Sequence, residues 1–193
     1  MRKKKISVSS ERSVHTHVYL YSAATWAWDQ AEGTEEGRFY NCMSSIILSA
    51  FCIEAYLNHI GSELLPYWDD DIKKGLSIQS KLKIVCCHVN LVPDFSRRPF
   101  QSFKAIVKFR NLLAHAVTEK VSEKSTQPVR DEMRVKYPET WWEKQSNLLV
   151  AKRWLSDTES IINAIHNATG KSGMPPLGML SMGSHSGTLT HQE

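Results

Sequence analysis

The sequence lacks the features that mark secreted, disulfide-stapled or membrane-spanning proteins. It holds four cysteines among 193 residues, none of them spaced as C-x-x-C, and three fall at apolar positions of predicted helices. That usage predicts reduced, buried thiols. No apolar run follows the lysine-rich start, and no stretch approaches the roughly 20 apolar residues that a membrane span needs. We therefore expect no signal peptide, no membrane association and a cytoplasmic location.

A strong excess of one charge is also missing. The net charge is only +4, and five basic residues lie near the start of the chain, at Arg2, Lys3, Lys4, Lys5 and Arg12. The rest of the chain is close to neutral, so its charge gives little support for general nucleic-acid binding. Residues 1–12 are predicted to form a basic, flexible head.

No segment alternates polar and apolar residues over the length of a strand. Apolar residues recur instead at intervals of three and four, which predicts an all-α fold. The hydrophobic content of 41% is ordinary for a globular domain that buries a core. We expect one helical domain over 13–168. Its helices are predicted at about 13–31, 35–60, 78–89, 100–117 and 140–168, with Gly61 ending the second.

Three segments lack helical periodicity. Residues 69–75 are predicted to form a turn-rich loop, after which Ser77 is placed to cap the short helix. Residues 119–139 are polar and contain two prolines, which predicts a loop. Residues 169–193 are dominated by small and polar residues, which is typical of a disordered tail.

The run RNLLAH at residues 110–115 carries the clearest chemistry. On a helical wheel Arg110 lies within the apolar side of its helix, so its permanent charge needs a partner. Asn111 and His115 are four apart and share a face with Lys104 and Lys108. This basic stripe suits a phosphate backbone, although the solvated side of an amphipathic helix has the same pattern.

The wheel also separates the two residues that could act on a phosphate. Arg110 and His115 are five apart, so an ideal helix splays them by about 140°. A bend at the helix end, or a second copy of the helix across a two-fold axis, would bring them together. The run is therefore interpreted as half of a site.

The same run resembles the R-x(4–6)-H motif of the HEPN superfamily, in its common form R-N-x-x-x-H. Residues 49–58 resemble the second long helix of such domains, and residues 77–86 are similar to their short middle helix. The order and lengths of the predicted helices fit this family over 13–168.

The resemblance implies an up-and-down bundle that forms a homodimer, with two copies of the motif facing one cleft. It implies a metal-independent endoribonuclease that needs no cofactor and works in toxin–antitoxin or other defence systems. RNA would be the substrate, and an antitoxin or another component of the defence system a further partner. Some members of the family are inactive or serve as binding modules. The H-x-Y form found in members with a nucleotidyltransferase antitoxin is not matched, because Val117 stands in place of the tyrosine.

The resemblance also assigns roles to residues. Arg110 and His115 match the catalytic pair, and Asn111 matches the polar residue after the arginine. His115 would move the proton of the attacking ribose 2′-OH or of the leaving 5′ oxygen. Arg110 would stabilise charge on the phosphate, and Lys104 and Lys108 would bind the substrate. The products would carry a 2′,3′-cyclic phosphate and a 5′-hydroxyl.

Two functional alternatives to the nuclease stay open on the sequence alone. One is a catalytically silent HEPN-type module that binds nucleotide or RNA. The other is a plain helical interaction protein in which Glu54 forms a structural salt bridge with Arg110. Glu54 itself fits two interpretations equally, a buried partner of Arg110 or a half-exposed carboxylate with a weak surface pair.

Other side chains favour structural roles. Cys86, Cys87 and His88 are adjacent on a helix and lack a matching ligand pair elsewhere, so no metal is assigned to them. His15 and His17 are isolated in the sequence and are interpreted as surface histidines. The pair at 141–142 is two tryptophans, which stack bases in some proteins but more often anchor a helix to the core.

Overall fold

The computed structural model describes residues 6–122, 137–171, 175–178 and 180–189. Over these residues the chain is mostly helical, which confirms the all-α prediction. The elements in chain order are β1 (Ile6–Val14), α1 (Thr16–Gly33), α2 (Arg38–Leu64), α3 (Asp70–Gly75), α4 (Ile78–His88), α5 (Phe100–Ala114), α6 (Trp141–Gln145), α7 (Leu148–Ala168) and β2 (Ser181–Leu189).

Helix α2 is the centre of the bundle. It packs against α1, α4, α5 and α7, so its apolar residues are covered on several sides. Ile46, Ile53, Leu57 and Ile60 are each at most 1% exposed, and they keep the spacing of three and four that predicted this helix. The shared core of the bundle therefore forms around α2.

The sequence analysis predicted that Gly61 ends α2, but in the structure Gly61 lies inside the helix. The helix continues for three more residues to Leu64. The indole ring of Trp68 packs so closely on Gly61 that a Cβ there would lie 2.7 Å from Trp68 Cζ2 and nearer still to other ring atoms. Glycine is thus used here for a close approach of a side chain to the helix backbone, not for a helix stop.

Side-chain caps explain where several helices begin. Ser77 accepts a hydrogen bond from the amide of Ser80, which confirms the predicted cap of α4. Asp69 caps α3 in the same way, so the segment predicted as a turn-rich loop contains a short helix. Asn147 caps α7, and this cap divides the helix predicted at about 140–168 into α6 and α7.

The two ends of the described chain pair with each other. Strand β1 runs antiparallel to β2, with Ile6 opposite Leu189 and Val14 opposite Ser181. The sequence analysis predicted a flexible head at 1–12 and a disordered tail at 169–193, and it did not predict this pairing of the two strands. Each strand's backbone partner lies more than 160 residues away in the sequence, so local periodicity carries no sign of it. Part of the predicted 119–139 loop, residues 123–136, lies outside the described residues.

Helix α2 alone among the described helices has the length and composition of a membrane span, with a mean hydropathy of 1.2. Half of that segment is buried inside the bundle. Burial of this kind is what the core helix of a soluble protein shows, and the helix carries Glu54 at its middle in an ion pair. The length and hydropathy of α2 are therefore only weak evidence that this helix spans a membrane.

Candidate functional site

Helix α5 carries the RNLLAH run at its C-terminal end. Phe103, Ile106 and Val107 fix its orientation, because each is at most 1% exposed against the core. The helix ends at Ala114, and His115 has left helical geometry with φ −120° and ψ 30°. The sequence predicted a helix to about residue 117 with Val117 on the apolar side, yet Val117 is 79% exposed.

An ion pair to α7 holds the start of α5. Asp157, only 3% exposed, accepts two hydrogen bonds from Arg98 Nε at 2.9 and 3.0 Å and a third from Arg98 Nη2 at 2.8 Å. Ser102 Oγ also donates to this carboxylate. The sequence analysis missed the pair, because its two residues are 59 positions apart and neither belongs to a motif.

Arg110 points from α5 toward α2. Its Nη2 donates to Glu54 Oε2 at 3.3 Å, and its Nη1 donates to Asn111 Oδ1 at 3.1 Å. The guanidinium also lies 5.8 Å from the centre of the Phe51 ring. Its Nε is buried and has no hydrogen-bond partner among the described residues. The partner that the wheel required is thus Glu54, whose side chain is 21% exposed.

Glu54 has a second and closer partner in Lys81. Lys81 Nζ donates to Glu54 Oε1 at 2.7 Å and to the carbonyl oxygen of Lys73 at 2.6 Å, and its side chain is fully buried. We refer to Glu54, Lys81 and Arg110 as the charged cluster. The sequence analysis missed Lys81, although its position on the apolar side of α4, three after Ile78, is an indication of burial.

The distances within the charged cluster are unequal. Charge-assisted N–H···O bonds have typical lengths of about 2.7–2.9 Å, so Lys81 is bound tightly and Arg110 loosely. The three side chains together carry two positive charges and one negative charge. The cluster therefore orients the Arg110 guanidinium without neutralising the site.

Asn111 and His115 lie on the exposed surface of α5 and just beyond its end. The amide of His115 donates to the carbonyl oxygen of Asn111 at 3.1 Å, which closes the last turn. No hydrogen bond or ion pair connects Arg110 to His115 within the described part of the chain. A single chain thus holds the arginine against α2 and leaves the histidine at the surface.

The two lysines predicted to bind substrate are exposed and rest on aromatic rings. Lys104 Nζ lies 4.8 Å from the centre of Phe95, and Lys108 Nζ lies 4.3 Å from the centre of Trp141. A cation over a ring keeps its other donors in solvent. Both lysines therefore stay able to contact a phosphate.

The tryptophan pair anchors α6, in agreement with the more frequent of its two roles. Trp141 packs 6.4 Å from both Phe109 and Trp154 between ring centres, and Trp142 lies 6.2 Å from Phe39. Both tryptophans are half-buried. Their rings therefore pack against the core.

The cysteine predictions are confirmed in part. Cys42, Cys52 and Cys86 are buried free thiols, whereas Cys87 is exposed. Burial raises the pKa of Cys52 to about 12 and that of Cys86 to about 11, so both stay protonated at neutral pH. The described residues give Cys86, Cys87 and His88 no place in a metal-ligand group.

The interpretation of His17 as a surface histidine is wrong. Its side chain lies in the core at 3% exposure and packs beside His15 and His59. His59 comes from α2, 42 positions away in the sequence, so the grouping is a product of the fold.

Comparison of this chain with protein-family models, with curated proteins and with solved structures finds no match.

Proposed function

We propose that the protein is a metal-independent endoribonuclease of HEPN type that acts in the cytoplasm as a toxin or defence effector. The proposal is supported by the R-N-x-x-x-H run at 110–115 and by its position at the end of α5. It depends above all on one observation, the long 3.3 Å contact of Arg110 with a carboxylate that is already paired with Lys81.

This arrangement suits a phosphate-binding arginine. Lys81 occupies one oxygen of Glu54 at 2.7 Å, so Glu54 has little negative charge left for Arg110. The guanidinium is oriented by Glu54 and Asn111 and keeps most of its positive charge. A phosphodiester at the surface would supply the missing anion with two oxygens in the geometry that a guanidinium prefers.

His115 would supply the proton transfers. In the proposed reaction the ribose 2′-oxygen attacks phosphorus while an imidazole takes its proton. The bond from phosphorus to the 5′ oxygen breaks, and that oxygen receives a proton from the imidazolium formed in the first step. The products are a 2′,3′-cyclic phosphate and a 5′-hydroxyl, and no oxidant or metal is needed. Imidazole is suited to both roles because it exchanges protons near neutral pH.

A homodimer completes the site in this proposal. In one chain Arg110 lies against Glu54 and His115 lies at the exposed helix end. Two copies of α5 across a two-fold axis would present each residue twice to one cleft. The arginine of one subunit would then act with the histidine of its partner, and Lys104 and Lys108 would bind flanking phosphates.

A second candidate function has its own support. The Glu54–Arg110 pair and the absence of a direct Arg110–His115 contact within the described chain also fit a silent helical binding module. In that case Arg110 ties α5 to α2, and the exposed run serves recognition of a nucleotide, an RNA or a protein partner. The two candidates differ in whether RNA is cut.

The test compares the wild type with Arg110→Ala and His115→Ala on total RNA in the presence of EDTA. We expect cleavage by the wild type, with cyclic-phosphate ends, and a loss of at least about 100-fold in both variants, since general acid–base catalysis by one group contributes about that much. His88→Ala is the matched control, because His88 is also an exposed histidine at the end of a helix. Cleavage that persists in both variants, or that no protein shows, would overturn the proposal.

A further inference from the structure

Three histidines meet at the junction of β1, α1 and α2. His15 precedes the first residue of α1, His17 lies in its first turn, and His59 comes from α2. One ring nitrogen of each lies within 4.8 Å of the others. We refer to these three residues as the histidine cluster. Asn58 and Val14 line the cavity of about 390 Å³ beside it.

The ring spacing matches that of imidazoles around one tetrahedral metal. Zinc–nitrogen bonds of about 2.0–2.1 Å at tetrahedral angles place the centres of two bound rings about 5.2 Å apart. The observed separations are 4.9 Å for His17 and His59, 5.3 Å for His15 and His59, and 5.8 Å for His15 and His17. Bound nitrogens lie about 3.3 Å apart, so side-chain rotation must bring the nitrogens together by at most about 1.5 Å.

Two of the rings have acceptor groups beside them, as histidine ligands in known metal sites do. His17 Nε2 lies 2.9 Å from the carbonyl oxygen of Pro176, which can only accept, so His17 donates from Nε2 and its Nδ1 keeps a lone pair. His59 Nε2 lies 3.4 Å from Glu63 Oε1. Histidine ligands in proteins commonly donate their second N–H to a carbonyl or carboxylate in this manner.

The protonation state also favours metal binding. Burial lowers the pKa of His17 to about 4 and lowers the pKa of His59 as well. Both imidazoles are therefore neutral at pH 7, the form that binds a metal. The carboxylate of Glu63 lies next to His59 and is also paired with Lys171.

The cavity offers a place for a fourth ligand. Asn58, which lines it, has a buried Oδ1 that no donor satisfies among the described residues. A buried acceptor of this kind costs free energy unless it receives a hydrogen bond. A water molecule bound to a metal at the histidine cluster would be such a donor.

We propose that His15, His17 and His59 form a three-histidine site for zinc or a similar divalent transition metal. Imidazole nitrogen is a preferred ligand of zinc, copper and nickel, and three histidines leave one position for water. The metal would tie the end of β1 and the start of α1 to α2. Through the bond from His17 to Pro176 it would also fix the segment at 175–178.

The test measures zinc binding by the full chain without a histidine tag. The metal-free wild type is expected to take up one zinc per chain, and cobalt in its place is expected to give the absorption spectrum of a tetrahedral nitrogen site. His17→Gln and His59→Gln are expected to weaken zinc binding by at least about 100-fold, since loss of an outer contact alone costs about 10–100-fold. His88→Gln, which alters an exposed histidine outside the cluster, is expected to bind as tightly as the wild type.

His17→Gln changes a buried residue and could unfold the protein. His15→Gln is therefore measured as well, because His15 is only half-buried and its replacement should leave the fold intact. Each variant is checked for helical content by circular dichroism. Two results would overturn the proposal: a wild type that takes up less than one zinc per chain, or folded variants that bind zinc as tightly as His88→Gln. The site includes no residue of α5, so its failure would leave the proposed nuclease unaffected.

Discussion

Two groups of polar side chains meet α2 at different levels, and they differ in charge. The charged cluster joins Glu54 on α2 to a fully buried lysine and a loosely held arginine. The histidine cluster lies about five residues further along, near His59, and burial keeps two of its rings neutral. Five residues turn a helix by about 140°, so the clusters lie on different sides of α2.

The difference shows how a fold can place polar groups in a core by two routes. Lys81 lies fully buried, and a carboxylate and a carbonyl oxygen accept hydrogen bonds from its Nζ. His17 and His59 avoid the requirement for a counter-charge, because burial lowers the pKa of both rings and favours their neutral form. Removal of one charged group should therefore lower the free energy of unfolding strongly at the charged cluster and only slightly beside the histidine cluster.

The largest effect is expected for Glu54→Gln. The change leaves the buried ammonium of Lys81 without its counter-charge, and removal of one partner from a buried pair costs about 3 kcal/mol or more in the free energy of unfolding. Urea denaturation measures the loss. In the Glu54→Gln background, Lys81→Met should restore most of the stability because the unpaired charge is gone.

Asp70→Asn is the control for Glu54→Gln. Asp70 also pairs with a lysine, Lys74, but both side chains are more than 70% exposed. Its loss is expected to cost less than about 1 kcal/mol. Equal losses for the two variants would show that the charged cluster is no more than a surface ion pair.

An intermediate effect is expected for Gly61→Ala, near the histidine end of α2. The added methyl group would overlap the ring of Trp68, and overpacking of this kind costs about 2 kcal/mol. Thermal melting followed by tryptophan fluorescence measures it. Gly75→Ala is the control, because nothing lies within 4 Å of a Cβ there, and a change of less than about 1 kcal/mol is expected. A tolerated Gly61→Ala would contradict the tight packing at this end.

The smallest effect is expected for Lys171→Met, beside the histidine cluster. Lys171 pairs with Glu63, and the two side chains are 40% and 39% exposed. Such a pair contributes less than about 1 kcal/mol, so urea denaturation should find little change in the free energy of unfolding. A loss as large as that of Glu54→Gln would remove the contrast between the two clusters.

Local patterns predicted the elements better than the contacts between them. The spacing of Ile46, Ile53 and Leu57 predicted α2, and the charge of Arg110 on an apolar face predicted that it needs a partner. The sequence left two interpretations of Glu54 open, a buried partner of Arg110 or a carboxylate with a weak surface pair, since 56 residues separate it from Arg110. Periodicity describes one helix at a time and does not say which faces meet.

Several of the missed features depend on pairings between distant segments. Strand β2 finds its partner at the other end of the chain, and His59 meets two histidines more than 40 residues before it. The indications available in the sequence were local and small, such as the two histidines at 15 and 17. Only the packing of α1 against α2 turns them into a cluster.

The central claim is that Arg110 of one subunit works with His115 of its partner, and mixed dimers test it most directly. Arg110→Ala and His115→Ala chains are unfolded together, refolded, and assayed on RNA in EDTA. Each mixed dimer would hold one intact site, so about a quarter of the wild-type activity should return where neither variant alone has any. A mixture as inactive as the separate variants, from a wild type that does cleave RNA, would contradict a site shared between subunits.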